Sequence, residues 1–459
     1  DGPEPYDDHR SLFSTFRPAV PFKADADGQF RLAAPPRCPV RFSRSGCLQM
    51  RADRTLDSLE TPLMKRIVLH VGMHKTGSTS IQASLAGYRD GVFEYATLPP
   101  VVKAEREHAY NHSFLINTAF DKDSKRVGML LRVGVVANDF DRVRVQCRDA
   151  LEACLRASEA EVLILSAETI TNFDLESTQE LGVLLRQYAS DIQVYAYVRD
   201  PFDYVKAITQ EAIKWGHAGD HLHPLSYRNN FDHIEDVFGA ECVSYRLYRR
   251  EKLLNGDVIA DFGSWIGLKK DPAHRLEANV TLSTDAVRCI YALNNYPMFS
   301  SGSGLLQSSW RELVGVFGQL FPGRFEMPAR LVAREIDVWD MAWMEARLGQ
   351  SLQLPPYSEQ DMDCPGLKDW LGRTTPEMLT TIRRELTSRG ADVAENASLV
   401  ELLFQLYLEC IRSTSDLQLD YRKFSADRYL ERYPDVRQAG LYPFGHYVLH
   451  GHGEGRDGS

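Results

Sequence analysis

Residues 66 to 85 read RIVLHVGMHKTGSTSIQASL. An apolar strand ending at Val71 runs into a loop that carries Lys75 and the hydroxyls of Thr76, Ser78, Thr79 and Ser80, and a helix opens at Ser78 or Thr79. Strand, loop and helix in that order make an anion site. The first amides of a helix lack intrahelical partners and present the positive end of the helix dipole to a ligand. Gly72 and Gly77 have the G-x-x-x-x-G spacing of a nucleoside-triphosphate loop, but Ser78 stands where that loop has the Lys that reaches the β- and γ-phosphates. The ammonium comes from Lys75 instead, in mid-loop, with the amides of Gly77, Ser78 and Thr79 around it. Such a loop suits a terminal anion without a triphosphate tail and without a required metal.

A second cation follows another strand. In VYAYVRDPFDYVKAITQEAIKWG, residues 194 to 216, the strand leads to Arg199, and Pro201 fits the first turn of a helix. Arg199 is therefore expected at the carboxyl end of a sheet strand, where ligands of open α/β sheets sit.

The segment H-K-T-G-S-T-S after an apolar strand resembles the 5′-phosphosulfate loop of the sulfotransferases, and R-x-P resembles the opening of their 3′-phosphate motif. The resemblance covers roughly residues 66 to 295 well and 296 to 420 weakly. It implies a donor substrate, 3′-phosphoadenosine 5′-phosphosulfate (PAPS), held by His74, Lys75, Thr76, Gly77, Ser78, Thr79, Ser80 and Arg199, with no metal. It further implies that Lys75 stabilises the leaving phosphate. The family's usual Ser nine positions into the Arg motif is replaced by Ala207, so Lys206 or Thr209 would have to substitute for it. His74 is expected to shape the loop.

An alcohol acceptor must lose a proton, so a carboxylate or imidazole is expected within hydrogen-bond reach. Glu168, closing VLILSAE, occupies the acidic position that some glycan sulfotransferases use as base, and is the first candidate. His112, in EHAYNHSF, is the second, with His108 close behind. His217, His221 and His223, and His446 with His450, have spacings that could gather imidazoles, but no matching Cys or carboxylate pattern accompanies them, so no metal is expected. The tail resembles a short module that accompanies bacterial glycan-modifying enzymes, which associates the chain with a saccharide acceptor.

The elements needed to position these groups are legible as period. Short β-branched runs at Ile67–Val71, Val162–Ser166, Ile192–Val198 and Cys242–Leu247 alternate with helical patterns near 78–87, 141–157, 176–190, 201–215 and 257–266. Strands separated by helices predict an α/β fold with a parallel sheet flanked by helices. Helical periods follow at Thr284–Asn294, Leu305–Leu320 and Ala329–Leu348. Ser425, Pro434 and Pro443 are positioned to start three short helices in the tail. The expected organisation is an extension over 1–62, rich in Pro, Asp and Arg, an α/β core over 63–295, a helical region over 296–420 and a small helical module over 421–459. Segments 88–140 and 216–235 read as specificity loops.

Composition bounds the partners. The 459 residues carry 53 Lys and Arg against 63 Asp and Glu, a net charge of −10, which gives no surplus of cations for a nucleic-acid backbone. No apolar run approaches the roughly 20 residues of a membrane span. Eight cysteines are scattered without a C-x-x-C pair, which favours a reduced, cytoplasmic setting. The sequence therefore predicts a PAPS-dependent sulfotransferase acting on a hydroxyl of a carbohydrate or glycoconjugate. A small-molecule or lipid sulfotransferase, an ATP-dependent kinase and a non-catalytic nucleotide- or glycan-binding protein are the alternatives.

Overall fold

The computed structural model describes residues 64–102, 110–122, 130–131, 133–216, 222, 225–272, 282–295, 306–333, 335–354, 366–391, 393, 397–414, 424–439 and 443–458. The extension expected over 1–62, together with His108, His217, His221 and His223, lies outside the described residues.

Five parallel strands form the sheet: β1 (Met64–His70), β2 (Phe93–Tyr95), β3 (Val162–Ser166), β4 (Ala189–Val198) and β5 (Val243–Leu247), in the order β2-β3-β1-β4-β5. β1 is central, with Leu69 level with Leu165 of β3 and Val194 of β4. Its side chains alternate between two apolar layers. Ile67 and Leu69 pack on one face, and Val68 packs on the other.

The second face is covered by α1 (Ser78–Leu85), through Ile81 and Leu85, and further along the chain by the helix Val258–Ile266, through Phe262 and Ile266. The first is covered by α2 (Ser113–Phe120), α3 (Phe140–Ala157), α4 (Leu175–Leu185), α5 (Pro201–Lys214) and α6 (Tyr227–Phe238). Val258–Ile266 is α7, and Thr284–Asn294, packed against α5, is α8. A sheet buried on both faces needs the near-continuous apolar strands seen in β3, whose five residues are all buried.

The chain leaves β1 towards β3 and β2 on one side, then crosses to β4 and β5 on the other. The winding therefore reverses at β1, and a crevice opens beyond the carboxyl ends of β1 and β4. The loop after β1 and Arg199 after β4 both lie there.

Differences from expectation have local causes. Three-residue β2 is too short to show a period. Helices α2 and α6 occupy stretches expected to be loops. α6 is started by Ser226, whose hydroxyl accepts from the Asn229 amide at 3.2 Å, and it buries Phe231, Ile234 and Phe238. The helix expected over 329–348 is two, Ala329–Ala333 and Val338–Leu348, because Asp337 accepts from the amides of Trp339 and Asp340 and begins the second. In the tail, Ser425 caps Ala426–Arg432, and Pro434 and Pro443 open the next two helices. Among the described residues no helix is long and apolar enough to cross a membrane.

Candidate functional site

The loop after β1 continues along β4 before it turns. Val71 and Met73 donate their amides to the carbonyls of Tyr195 and Tyr197 at 3.0 and 2.9 Å. The Thr76 hydroxyl then donates to the Met73 carbonyl at 2.6 Å and closes the bend. Lys75 and Gly77 flank Thr76 with positive φ, 67° and 81°. The left-handed conformation is free for Gly77 but costs a lysine about 1 kcal/mol, so the surrounding bonds hold Lys75 there. Gly72 is required by space as well: a Cβ would lie 3.0 Å from the Thr76 hydroxyl oxygen and 3.2 Å from the Tyr197 nitrogen.

Arg199 is joined to this loop. Its Nη1 donates to the Lys75 carbonyl at 2.8 Å, and its guanidinium lies 5.6 Å from the Tyr248 ring centre. Burial pulls its pKa down, and among the described residues its buried Nε has no hydrogen-bond partner. The backbone around Arg199 is clamped. Tyr227 donates to the Arg199 carbonyl at 2.6 Å, and the next residue, Asp200, is buried in a bidentate pair with Arg249 at 2.6 and 2.7 Å. Asp200 also accepts the Gln353 amide at 2.6 Å.

Between the loop and α5 lies a cavity of about 330 Å³. One stripe of α5 walls it: Asp203, Lys206, Ala207, Gln210, Glu211 and Lys214. That spacing follows the helical repeat. Lys75, Arg199, Lys206, Lys214 and Arg250 supply five cations, against the carboxylates of Asp203, Glu211 and Asp257. Asp257 is engaged as the cap of α7, accepting from Ile259 and Ala260. In a chain with a net charge of −10, this cavity is locally cationic and matches an anionic ligand.

The Lys75 ammonium pairs with Glu211 at 2.7 Å. Glu211 also receives Lys214 at 3.3 Å and the Trp215 indole N–H at 2.8 Å. Burial alone would raise its carboxyl pKa, but these partners outweigh it and hold the carboxyl below its usual range.

The residues expected in the phosphate loop divide. Lys75 and Ser80 wall the cavity. The Thr76 hydroxyl is used inside the loop, Thr79 is exposed, and the Ser78 hydroxyl is buried with no hydrogen-bond partner among the described residues. Lys206 is on the cavity wall, whereas Thr209 is on the buried side of α5, off that wall.

Glu168 and His74 lie on the other side of the loop. Neither walls the cavity. Glu168 Oε1 is 3.8 Å from His74 Nδ1, and the Asn172 amide Nδ2 is 3.3 Å from His74 Nε2. Asn172 in turn lines a second cavity, of about 480 Å³, with Asn229 and Asn230.

His112 is corrected from candidate base to structural link. It is buried, its Nδ1 accepts the Ser166 amide at 3.1 Å, and its Nε2 donates to the Ala96 carbonyl at 3.0 Å. Both ring nitrogens are spent joining the ends of β2 and β3, and burial lowers its pKa to about 4. In the tail, His446 Nδ1 is engaged with the Tyr429 hydroxyl at 2.9 Å.

Sequence reasoning missed Glu211, Lys214, Tyr248 and Arg250. The first two were readable once Pro201 started the helix, as positions on the same stripe as Ala207. Tyr248 and Arg250 follow β5 and come to the cavity only because β5 pairs with β4. Comparison of the chain with protein-family models, with curated proteins and with solved structures finds no match.

Proposed function

We propose that the chain is a PAPS-dependent sulfotransferase that moves a sulfuryl group to a hydroxyl of a carbohydrate or glycoconjugate. One observation carries the reading: Lys75 and Arg199, from two separate strand ends, are bonded to each other and wall the same cation-rich cavity. Two anionic ends of one ligand, a phosphosulfate and a 3′-phosphate, would account for two such cations in one pocket. The Nε of Arg199, a cavity-wall residue, has no hydrogen-bond partner among the described residues and is a further donor that a ligand would satisfy.

In the transfer, the acceptor oxygen forms a bond to sulfur while the bridging S–O bond to phosphate breaks, and the electron pair passes to the phosphate oxygen. Negative charge grows on that oxygen, so a preoriented ammonium lowers the barrier. Lys75 fills this role because its carbonyl is tied to Arg199 and its neighbour Thr76 closes the turn. Arg199, Lys206 and Lys214 hold the remaining phosphate charge. The kinase alternative lacks the Lys that would follow Gly77.

Isothermal calorimetry tests this directly, with 3′-phosphoadenosine 5′-phosphate (PAP) against ATP, each with and without magnesium. Metal-independent binding of PAP, at least tenfold tighter than ATP, is expected. Preference for ATP with magnesium would overturn the assignment. Ala207 favours a second reading, a nucleotide binder without catalysis. PAP binding together with no release of PAP from PAPS would select it.

A further inference from the structure

The sulfotransferase reading leaves the acceptor proton without a destination. Of the carboxylates on the cavity wall, Glu211 pairs with Lys75, Asp203 pairs with Lys206 at 3.4 Å, and Asp257 is engaged as a helix cap. His112 has both nitrogens occupied by backbone. His74 differs from all of these.

We infer that His74, oriented by Glu168, takes the proton from an acceptor hydroxyl that enters through the cavity lined by Asn172, Asn229 and Asn230. This rests on the sulfotransferase reading. The imidazole directly precedes Lys75, so it is covalently tied to the group assigned to the leaving oxygen. Its Nδ1 faces the Glu168 carboxylate at 3.8 Å, and its Nε2 faces the Asn172 amide at 3.3 Å. An N–H donated by Asn172 requires the lone pair on Nε2. The ring proton then sits on Nδ1, towards Glu168. A carboxylate behind one nitrogen and a lone pair on the other is the tautomer a general base needs.

Asn172 occupies the position an acceptor O–H would take, and it stands on the wall of the second cavity. Among the described residues the side-chain amides of Asn229 and Asn230 make no hydrogen bond, leaving donors and acceptors for a hydroxylated guest. Lys122, on the same wall, pairs with both Glu176 and Glu180, at 2.6 and 2.7 Å, and Asp174 beside it caps α4 by accepting the Ser177 amide at 2.7 Å, so this wall suits a hydroxylated acceptor that brings no anionic group. The charged groups around His74 are Glu168 across the loop and Lys75 beside it, with Arg199 held on the Lys75 carbonyl.

The step balances. The acceptor oxygen bonds to sulfur, the S–O bond to phosphate breaks, its electron pair remains on phosphate near Lys75, and the acceptor proton moves to His74 Nε2. Glu168 then faces an imidazolium and is a positioning residue.

Water serves as the acceptor probe, because PAP release from PAPS in water needs no knowledge of the natural substrate. His74→Gln keeps a hydrogen-bonding group beside Asn172 and should lower PAP release about 100-fold. PAP affinity should stay within threefold, since His74 is outside the donor cavity. The wild-type rate should rise with pH through one ionisation, a limb that His74→Gln abolishes. Glu168→Gln should lower the rate about tenfold with PAP affinity unchanged, and Glu168→Asp should restore part of it. Intact PAP binding with unchanged hydrolysis in His74→Gln overturns the dyad alone. So does a wild-type protein that binds PAP but releases none. Failure of the wild type to bind PAP overturns the donor assignment, and the dyad with it.

Discussion

The ammonium of Lys75 and the carboxylate of Glu211 are 2.7 Å apart, so the cation at the centre of the loop is held by an internal anion. An incoming phosphate competes with that carboxylate and feels its repulsion. At a few ångströms in a partly buried setting such a repulsion is on the order of 1–3 kcal/mol. Glu211→Gln should therefore bind PAP about tenfold more tightly, measured by calorimetry. Weaker binding would mean that Glu211 positions Lys75 more than it competes for it.

Lys75→Ala should lower PAP release by about 10²–10³-fold, the loss seen when one preoriented donor to a developing oxyanion is removed. Folding should barely change. The ion pair is partly exposed and contributes on the order of 1 kcal/mol or less, and Glu211 keeps Lys214 at 3.3 Å. A thermal melt of the variant separates the two effects, and an unchanged turnover would remove Lys75 from the chemistry.

Ala207 stands on the cavity wall between Lys206 and Gln210. Ala207→Ser adds a hydroxyl donor facing the ligand, a hydrogen bond to charge contributing about 1.5 kcal/mol or more. PAP should bind about tenfold more tightly to this variant. Equal affinity would place the 3′-phosphate elsewhere in the pocket.

Arg249 and Asp200 form a bidentate pair in which both side chains are less than a tenth exposed. Arg249→Ala leaves a buried carboxylate without its cation and should cost about 3–5 kcal/mol in urea unfolding. Because Asp200 follows Arg199, PAP affinity should fall as well. A loss under about 1 kcal/mol would mean that water reaches Asp200 freely.

Two buried histidines make stability depend on pH. Burial lowers the His112 pKa to about 4 and the His70 pKa to about 3, whereas both take a proton near 6.5 in the unfolded chain. Between these values the unfolded state binds more protons, so stability is present above about pH 6.5 and is lost as pH falls towards 4. Each histidine contributes a slope of up to about 1.4 kcal/mol per pH unit. Urea titrations at several pH values in this window should show the decline, and His112→Gln should remove about half of it. Equal slopes for the two proteins would show that His112 is not buried in its neutral form.

Much of the site's frame is readable residue by residue. β1, β3 and β4 announce themselves by apolar runs, α5 by Pro201, and the loop by Gly72 and Gly77. β2 is three residues long and carries no period, so only its pairing with β3 reveals it. α6 was hidden by the expectation of a loop, although Ser226 and the spacing of Phe231, Ile234 and Phe238 mark it. His112 shows the opposite limit. Its residue type suggests a base, yet its two nitrogens are consumed by carbonyl and amide groups far away in the chain.

Local chemistry alone determined that a strand, a glycine loop bearing Lys75 and a helix would follow one another, and that a second strand would end in Arg199. These are contacts between near neighbours, governed by backbone dihedrals and hydrophobic period. Which carboxylate meets Lys75, which groups face the His74 imidazole, and that Tyr248 and Arg250 join the pocket were decided only by strand order. Parallel pairing brings together residues as far apart as 75 and 211, and no local propensity encodes that distance.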